Sequence, residues 1–175
     1  MNTFARFVEA EIPKLRRYAR ALHRGDIPTS DDLVQDTLAR AVAKQHLWEP
    51  GTNLRAWLFT LMHNQHVNQV RRSVREGMVV DIDGFHNTIA SPSDPTVSLL
   101  LRDLNRALAK LQLGQHQAIL LIGLEGMSYK EAAQILRIPI GTVRSRVSRG
   151  RGQLRQMMGI DSARIGPAVI PAIAA

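Results

Sequence analysis

Cysteine is absent from this sequence, and aromatic residues make up only 5% of it. Without cysteine the chain can form no disulfide framework, no thiolate metal site and no thiol nucleophile. No apolar run reaches the roughly 18–20 residues that a membrane-spanning helix needs. The first residues, MNTFARFVEAEIPK, carry acids where a signal peptide would have an unbroken apolar stretch. We therefore expect a cytoplasmic protein with no membrane insertion.

Catalytic motifs are missing as well. The sequence contains no phosphate-binding Walker loop, no G-x-S-x-G nucleophile motif and no dinucleotide-binding fingerprint. His63 and His66 stand three residues apart and could share a metal ion, but no third ligand of suitable type lies nearby in the sequence. The sequence therefore predicts a protein that is not an enzyme and that holds no metal and no other cofactor.

Apolar residues recur at helical spacing along almost the whole chain, whereas β-branched runs are scarce and strict alternation is absent. This pattern predicts an all-α fold of two small helical domains joined by a flexible linker. The domains are expected at residues 1–76 and 97–160. Between them lies an acidic linker (77–96) with Gly, Asn, Ser and Pro, and the apolar tail (161–175) is expected to be disordered.

The spacing predicts three helices in the first domain, at about residues 3–22, 31–45 and 53–75. Thr29 or Ser30 is expected to cap the second helix, and Thr52 or Asn53 the third. Phe7 on the first helix and Val42 on the second are expected to face inward. In the second domain we expect helices at about 97–111 and 114–124, followed by two that begin near residues 128 and 142.

Residues 128–155 have the pattern of a helix–turn–helix. Ser128 and Glu131 form a capping box, which marks the start of a helix. Pro139 ends that helix, because it has no N–H and steers the preceding residue away from helical geometry. A second helix then begins near Thr142.

The second of these helices has an apolar side and a basic side. Its apolar stripe consists of Val143, Val147, Gly150 and Leu154. Six arginines and no acid lie from Arg137 to Arg155. A solvated surface is the commoner explanation for a charge run, but a basic outer face on the second of two short helices suits the major groove of DNA.

The residues of this face divide by chemistry into two groups. Arginine can bind guanine with two hydrogen bonds, and serine can contact base edges or phosphate. The predicted base-contacting residues are Arg144, Ser145, Ser148 and Arg149. The predicted phosphate-contacting residues are Thr142, Arg146, Arg151 and Arg155.

The first domain carries two further groups of polar residues. Acids at Asp31 and Asp32 suit the dipole at a helix start; with Gln35 and Asp36 they would also suit docking on a basic protein surface. Trp48 lies in a polar loop, where it could cap the core or offer a stacking platform for an unpaired base. On the predicted helix that follows this loop, the side-chain amide of an asparagine could contact the edge of an unpaired base, and a cluster of arginines could bind phosphate. These residues are Asn64, Arg71, Arg72 and Arg75.

Charge supports contact with a polyanion. The net charge is +8, and it is unevenly distributed. Residues 1–76 carry 12 basic and 8 acidic side chains, and residues 99–175 carry 11 basic and 4 acidic ones. Residues 77–98 carry 3 acidic side chains and no basic ones. Two basic blocks separated by an acidic stretch are expected if each block meets nucleic acid.

Three segments resemble the extracytoplasmic-function class of bacterial sigma factors, in the sigma-70 superfamily. They are DDLVQDTLARA (31–41), GTNLRAWLFTLMHNQHVNQVRR (51–72) and LEGMSYKEAAQILRIPIGTVRSRVSRGRGQLR (124–155). The resemblance implies sigma region 2 in the first domain and sigma region 4 in the second. It is closest to the general-stress branch, which implies a small soluble anti-sigma factor rather than a membrane-anchored one.

The resemblance also implies partners and roles. Core RNA polymerase would be bound at its β′ clamp helices through Asp32, Gln35 and Asp36, and at its β flap. Promoter DNA would be opened at the minus-10 element, where a flipped base would lie between the loop from Trp48 to Asn53 and the side chain of Asn64. The recognition helix would read the minus-35 element.

Two alternatives remain open. A stand-alone helix–turn–helix regulator would bind an operator without polymerase, but it leaves the acidic helix and the helix of Asn64 unexplained. A sigma-like decoy would sequester an anti-sigma factor. Decoys of this kind normally carry a receiver domain, for which we expect 175 residues to leave no room.

Overall fold

The structure is a computed structural model that describes residues 3–77 and 95–160. Within these residues all regular structure is helical, which confirms the predicted fold class. The helices are α1 (Thr3–Leu22), α2 (Ile27–Ala43), α3 (Leu54–Arg75), α4 (Pro95–Ala109), α5 (Leu113–Ile119), α6 (Tyr129–Leu136) and α7 (Ile140–Met157). A 3₁₀ turn follows α2 (Gln45–Leu47), and a π-helical turn continues α5 (Leu120–Leu124).

These helices form two compact units, one built from the first three helices and the other mainly from the last four. The predicted linker, apart from residues 77 and 95–96, and the predicted tail lie outside the described residues. None of the described helices combines the length and the apolar character that crossing a bilayer requires.

In the first unit α2 packs against both α1 and α3. The core between them contains fully buried leucines and two aromatic rings. The rings of Tyr18 and Phe59 lie 5.2 Å apart between centroids and are tilted by 59°, an arrangement that adds favourable ring–ring energy to simple burial. The predicted range of α1 is confirmed.

Helix α2 begins at Ile27, four residues before the predicted start, and its cap is neither Thr29 nor Ser30. The carboxylate of Asp26 caps it instead, accepting hydrogen bonds from the Thr29 N–H at 3.4 Å and the Thr29 hydroxyl at 2.7 Å. Pro28 fits the first turn, because N–H groups at this position have no acceptor within the helix and the proline therefore loses no hydrogen bond. The prediction was wrong because Asp26, three residues before Thr29, has an equally suitable capping side chain.

Ser30 has a different role from the predicted one. Its side chain is fully buried, and its hydroxyl lies within hydrogen-bond distance of two carbonyls, that of Asp26 and, at 3.3 Å, that of Ala19 in α1. The inward orientation predicted for Phe7 and Val42 is also wrong, since these side chains are 52% and 59% exposed. Each lies one position away from the buried stripe of its helix, so an apolar residue type alone did not place it inside.

In the second unit α5 packs against α7. At their crossing a Cβ atom on Gly150 would lie 2.5 Å from Cδ1 of Ile119 and 3.4 Å from Cβ of Gln115. Only the absence of a side chain at Gly150 therefore allows the two helices to approach this closely. Helix α4 begins at Pro95, two residues before the predicted start.

Replacement of Gly150 by alanine tests this contact. Alanine favours a helix interior by about 1 kcal/mol over glycine, but crowding at the crossing costs about 1–3 kcal/mol. We expect Gly150→Ala to lower the free energy of unfolding by about 1 kcal/mol, measured by urea denaturation. The control Gly152→Ala meets no atom within 4 Å and should raise it by about 0.5–1 kcal/mol. Equal stabilisation by both variants would show that the helices do not touch at Gly150.

A pH dependence follows from His23, which lies just after α1. Its ring centroid is 5.3 Å from that of the buried His66. Burial lowers the pKa of His23 from its ordinary value of 6.5, and the opposing charge of Asp26 only reduces this shift. Below pH 6.5 the unfolded chain therefore binds more protons at this site than the folded chain does.

We accordingly expect the free energy of unfolding to fall as the pH is lowered from 7.5 to 5.5, in urea titrations of the full chain. His23→Gln cannot be protonated, so its stability should fall less over the same range. The other histidines are unchanged in this comparison. A variant whose pH dependence equals that of the wild type would exclude His23 as the source.

Candidate functional site

The helix–turn–helix begins with the predicted capping box, which the structure confirms. The hydroxyl of Ser128 accepts a hydrogen bond from the N–H of Glu131 at 3.2 Å. In return the carboxylate of Glu131 accepts from the N–H of Ser128 at 2.9 Å. Two N–H groups at the start of α6 that have no partner within the helix are thereby satisfied.

The turn contains a feature that the sequence did not indicate. Arg137 adopts φ +54°, a left-handed conformation that costs a side-chain-bearing residue roughly 1–2 kcal/mol. It allows the N–H of Ile138 to donate to the carbonyl of Ala133 at 3.1 Å, which closes the end of α6. Pro139 then precedes α7, as predicted, although α7 starts at Ile140 rather than at Thr142.

Helix α7 has the two sides that the sequence predicts. Val143, Val147 and Gly150 are buried and Leu154 is half-buried, so the apolar stripe faces the unit's interior. Most of the predicted base-contacting residues are exposed on other sides of the helix: Arg144, Ser148 and Arg149. Ser145 is half-exposed.

Hydrogen bonds and ring contacts orient some of these side chains. The hydroxyl of Ser145 donates to the carbonyl of Thr142 at 3.0 Å, so in the unbound protein it is turned toward the helix backbone. Cζ of Arg144 lies 6.0 Å from the ring centroid of Tyr129, at the outer limit of a cation–π contact. Arg155 is exposed, whereas Arg146 and Arg151 are half-buried at the edges of the apolar stripe.

The acidic residues of α2 lie together on its exposed side. Asp32, Gln35 and Asp36 are exposed, while Leu33 and Thr37 of the opposite side are buried. The spacing of i, i+3 and i+4 explains why the three polar groups share one face. Gln65 of α3, itself buried, donates to Oδ2 of Asp36 at 3.3 Å. Gln65 thus links α3 to this face, a contact that no sequence signal indicated.

The loop before α3 is anchored at both ends. Trp48 is half-buried, and its ring lies 5.5 Å from the ring of Phe4 and 6.4 Å from that of Phe7. These contacts agree with the core-capping alternative for Trp48. Asn53 caps α3, as one of the two predicted caps, by accepting from the N–H of Ala56 at 3.0 Å.

Helix α3 carries polar residues at different depths. Asn64 is half-buried, whereas Gln65 and His66 are buried among the core residues. Arg71 and Arg72 are exposed near its C-terminal end, and Nε of Arg72 donates to Glu76 at 2.8 Å. No group of three or more histidine, aspartate or glutamate side chains in the described part of the chain is arranged to hold a metal ion.

Comparison with known proteins assigns both units. A family model described as the Sigma2 domain of PhyR matches residues 8–63, and one described as Sigma-70, region 4 matches residues 101–154. The ECF RNA polymerase sigma factor EcfG of Rhodopseudomonas palustris is 40% identical over 155 residues, covering 88% of this chain and 84% of that protein. This chain belongs to the ECF RNA polymerase sigma factors. It is an alternative sigma factor, with a region 2 unit and a helix–turn–helix region 4 unit.

Two solved structures agree with this assignment. The chain is similar to the sigma factor RpoE of Bartonella quintana in complex with the anti-sigma factor NepR, with a TM-score of 0.77 and 39% identity over 92% of this chain and 99% of that one. It is also similar to CnrH in complex with the cytosolic domain of CnrY, with a TM-score of 0.65 and 27% identity over 91% and 89% of the two chains.

Proposed function

We propose that this sigma factor uses α7 to read the minus-35 element of a promoter and uses α2 and α3 to bind polymerase and open the minus-10 element. The observation that carries the proposal is the two-sided structure of α7 in the unit matched by the region 4 model. Its apolar stripe is buried in the unit, while its exposed surface carries arginines and serines. A helix of this kind can lie in the major groove without exposing its hydrophobic core.

Reading of the minus-35 element is assigned to the outermost side chains of α7. Arg144 and Arg149 present guanidinium groups that can bind guanine through two hydrogen bonds, and Ser145 and Ser148 can contact base edges or phosphate. The flanking residues position the helix by contacting phosphates. These are Thr142, Arg146, Arg151 and Arg155.

Binding of core RNA polymerase is assigned to the exposed face of α2. Asp32, Gln35 and Asp36 would contact the β′ clamp helices, and region 4 would contact the β flap. The contact from Gln65 to Asp36 supports this assignment, because it orients one carboxylate of the face from a buried position. Charge complementarity with a basic surface would then fix the register of docking.

Opening of the minus-10 element is assigned to the loop before α3 and to α3 itself. Flipping a base out of the duplex costs a few kcal/mol of stacking free energy, so contacts in a protein pocket must compensate for this cost. Asn64 would contact the base edge, and the loop from Trp48 to Asn53 would form the opposite wall. The packing of Trp48 on Phe4 and the helix cap at Asn53 support a rigid wall. Arg71 and Arg72 would hold the backbone.

An anti-sigma factor is proposed as the regulatory partner, because the similar sigma factor RpoE is solved in complex with the anti-sigma factor NepR. Similarity to EcfG supports the general-stress branch and a small soluble anti-sigma factor. The protein would act in the cytoplasm, where RNA polymerase works. It would not be an enzyme itself, since the described relatives are sigma factors.

Transcription in vitro tests the proposal directly. Purified chain and core RNA polymerase would be incubated with promoter DNA upstream of this protein's target genes, and run-off transcripts would be measured. We expect initiation at a defined start site that requires the chain. Failure to obtain promoter-specific initiation at any tested promoter, with a chain that binds core polymerase, would contradict the assigned function.

A sigma-like decoy is the second candidate, because the family model matched by residues 8–63 is that of PhyR. PhyR of Bartonella quintana is described as an anti-anti-sigma factor. The same assay separates the two functions. A decoy would bind an anti-sigma factor and relieve its inhibition of a second sigma factor, but it would support no initiation alone.

Arg149→Ala is expected to reduce discrimination at one base of the minus-35 element by roughly 1–3 kcal/mol. The measurement is competition binding of the reconstituted holoenzyme to promoter duplexes that each carry one substituted base pair. Arg155→Ala provides the control, because a phosphate contact weakens binding to all duplexes alike. A uniform loss with Arg149→Ala would show that Arg149 also contacts only phosphate.

A further inference from the structure

The side chain of Arg146 occupies a space that is left open by a glycine of another helix. A Cβ atom built on Gly114 of α5 would lie 2.7 Å from Nη1, 2.8 Å from Cζ and 3.2 Å from Nε of Arg146. These distances are too short for real contacts, so the guanidinium lies where any other side chain at position 114 would begin. Gly114 therefore provides a seat for this group.

The seat holds Arg146 without using its hydrogen-bond donors. Arginine has five N–H donors, and no hydrogen bond or ion pair joins Arg146 to any residue in the described part of the chain. The guanidinium lies against Gly114, and its positive charge stays available. This combination suits an anion that arrives from outside the protein.

The position of Arg146 on α7 favours phosphate over a base. At about 100° per residue, Arg146 lies roughly 70° from the centre of the buried stripe, while Ser145 lies almost opposite to that centre. A recognition helix turns its outermost side toward the bases, and its flanks meet the walls of the groove. Arg146, half-buried at one flank, would therefore reach a backbone phosphate.

We propose that Gly114 is a positioning residue that seats the guanidinium of Arg146 for contact with one phosphate of the minus-35 duplex. This inference rests on the proposed function of α7. An arginine that moves freely in the unbound protein loses rotamer freedom when it binds a phosphate. Because the seat already restricts Arg146, less freedom is lost on binding and the contact is stronger.

Gly114→Ala tests the seat with little risk to the fold. The added methyl group collides with the end of a flexible side chain, so Arg146 can move away while the helices stay in place. Gly152→Ala is the matched control, since it makes the same exchange in α7 where no atom lies within 4 Å. Arg146→Ala removes the guanidinium itself, and the double variant shows whether the two residues act together.

The experiment measures equilibrium binding of the reconstituted holoenzyme, formed with each full-length variant, to promoter duplexes at several KCl concentrations. Circular dichroism and thermal melting check that each variant is folded. We expect Gly114→Ala and Arg146→Ala each to weaken binding about 3- to 10-fold, alike for all minus-35 sequences, and to lower the salt slope by up to about 1. The double variant should lose no more than Arg146→Ala, and Gly152→Ala should match the wild type.

Several results would overturn the inference. Binding by Gly114→Ala that equals that of Gly152→Ala would show that the seat is unnecessary. Unchanged affinity and salt slope with Arg146→Ala would show that Arg146 does not contact DNA, and loss of discrimination at a single base would show that it reads a base. A wild-type holoenzyme with no preference for promoter DNA would instead contradict the proposed function on which the inference rests.

Discussion

The close approach of α5 and α7 at Gly150 determines which side of α7 is buried and which is exposed. Because Ile119 occupies the space beside Gly150, a rotation of α7 that brought a larger side chain to this crossing would crowd α5. Val143 and Val147 remain buried as a consequence, and the exposed positions of the helix are fixed by its period of 3.6 residues. A packing constraint in the core thus sets the geometry of the exposed side, which we propose faces DNA.

In the first unit, hydrogen bonds of polar side chains are part of how α2 is packed. Helix α2 must bury one side between α1 and α3 and leave Asp32, Gln35 and Asp36 exposed. Two hydroxyls lie on its buried side, and each has a backbone acceptor. Thr37 donates to the carbonyl of Leu33 at 2.7 Å, and Ser30 lies within hydrogen-bond distance of the carbonyls of Asp26 and Ala19. Burial without such partners would cost free energy, so these hydrogen bonds allow α2 to bury two polar side chains.

Local patterns of the sequence were sufficient to predict the helices, the capping box of Ser128 and Glu131, and the apolar stripe of α7. They failed where the outcome depends on a tertiary partner. The buried amide of Gln65 donates to Asp36, and the guanidinium of Arg146 lies against Gly114. Neither contact can be predicted from the residue type. Arg137 adopts a conformation that usually favours glycine, and only the turn that it closes explains it.

The arginines of α7 differ in how firmly the free protein holds them. Arg146 is packed against Gly114 and Arg144 lies near the ring of Tyr129, whereas Arg149 is exposed. Contacts with phosphate gain most from a fixed group, because the backbone presents the same charge at every sequence. A base-reading side chain must instead adjust to hydrogen-bonding atoms deep in the groove. In the proposed complex with DNA, the packed Arg146 would hold the position of the helix while the exposed Arg149 contacts a base.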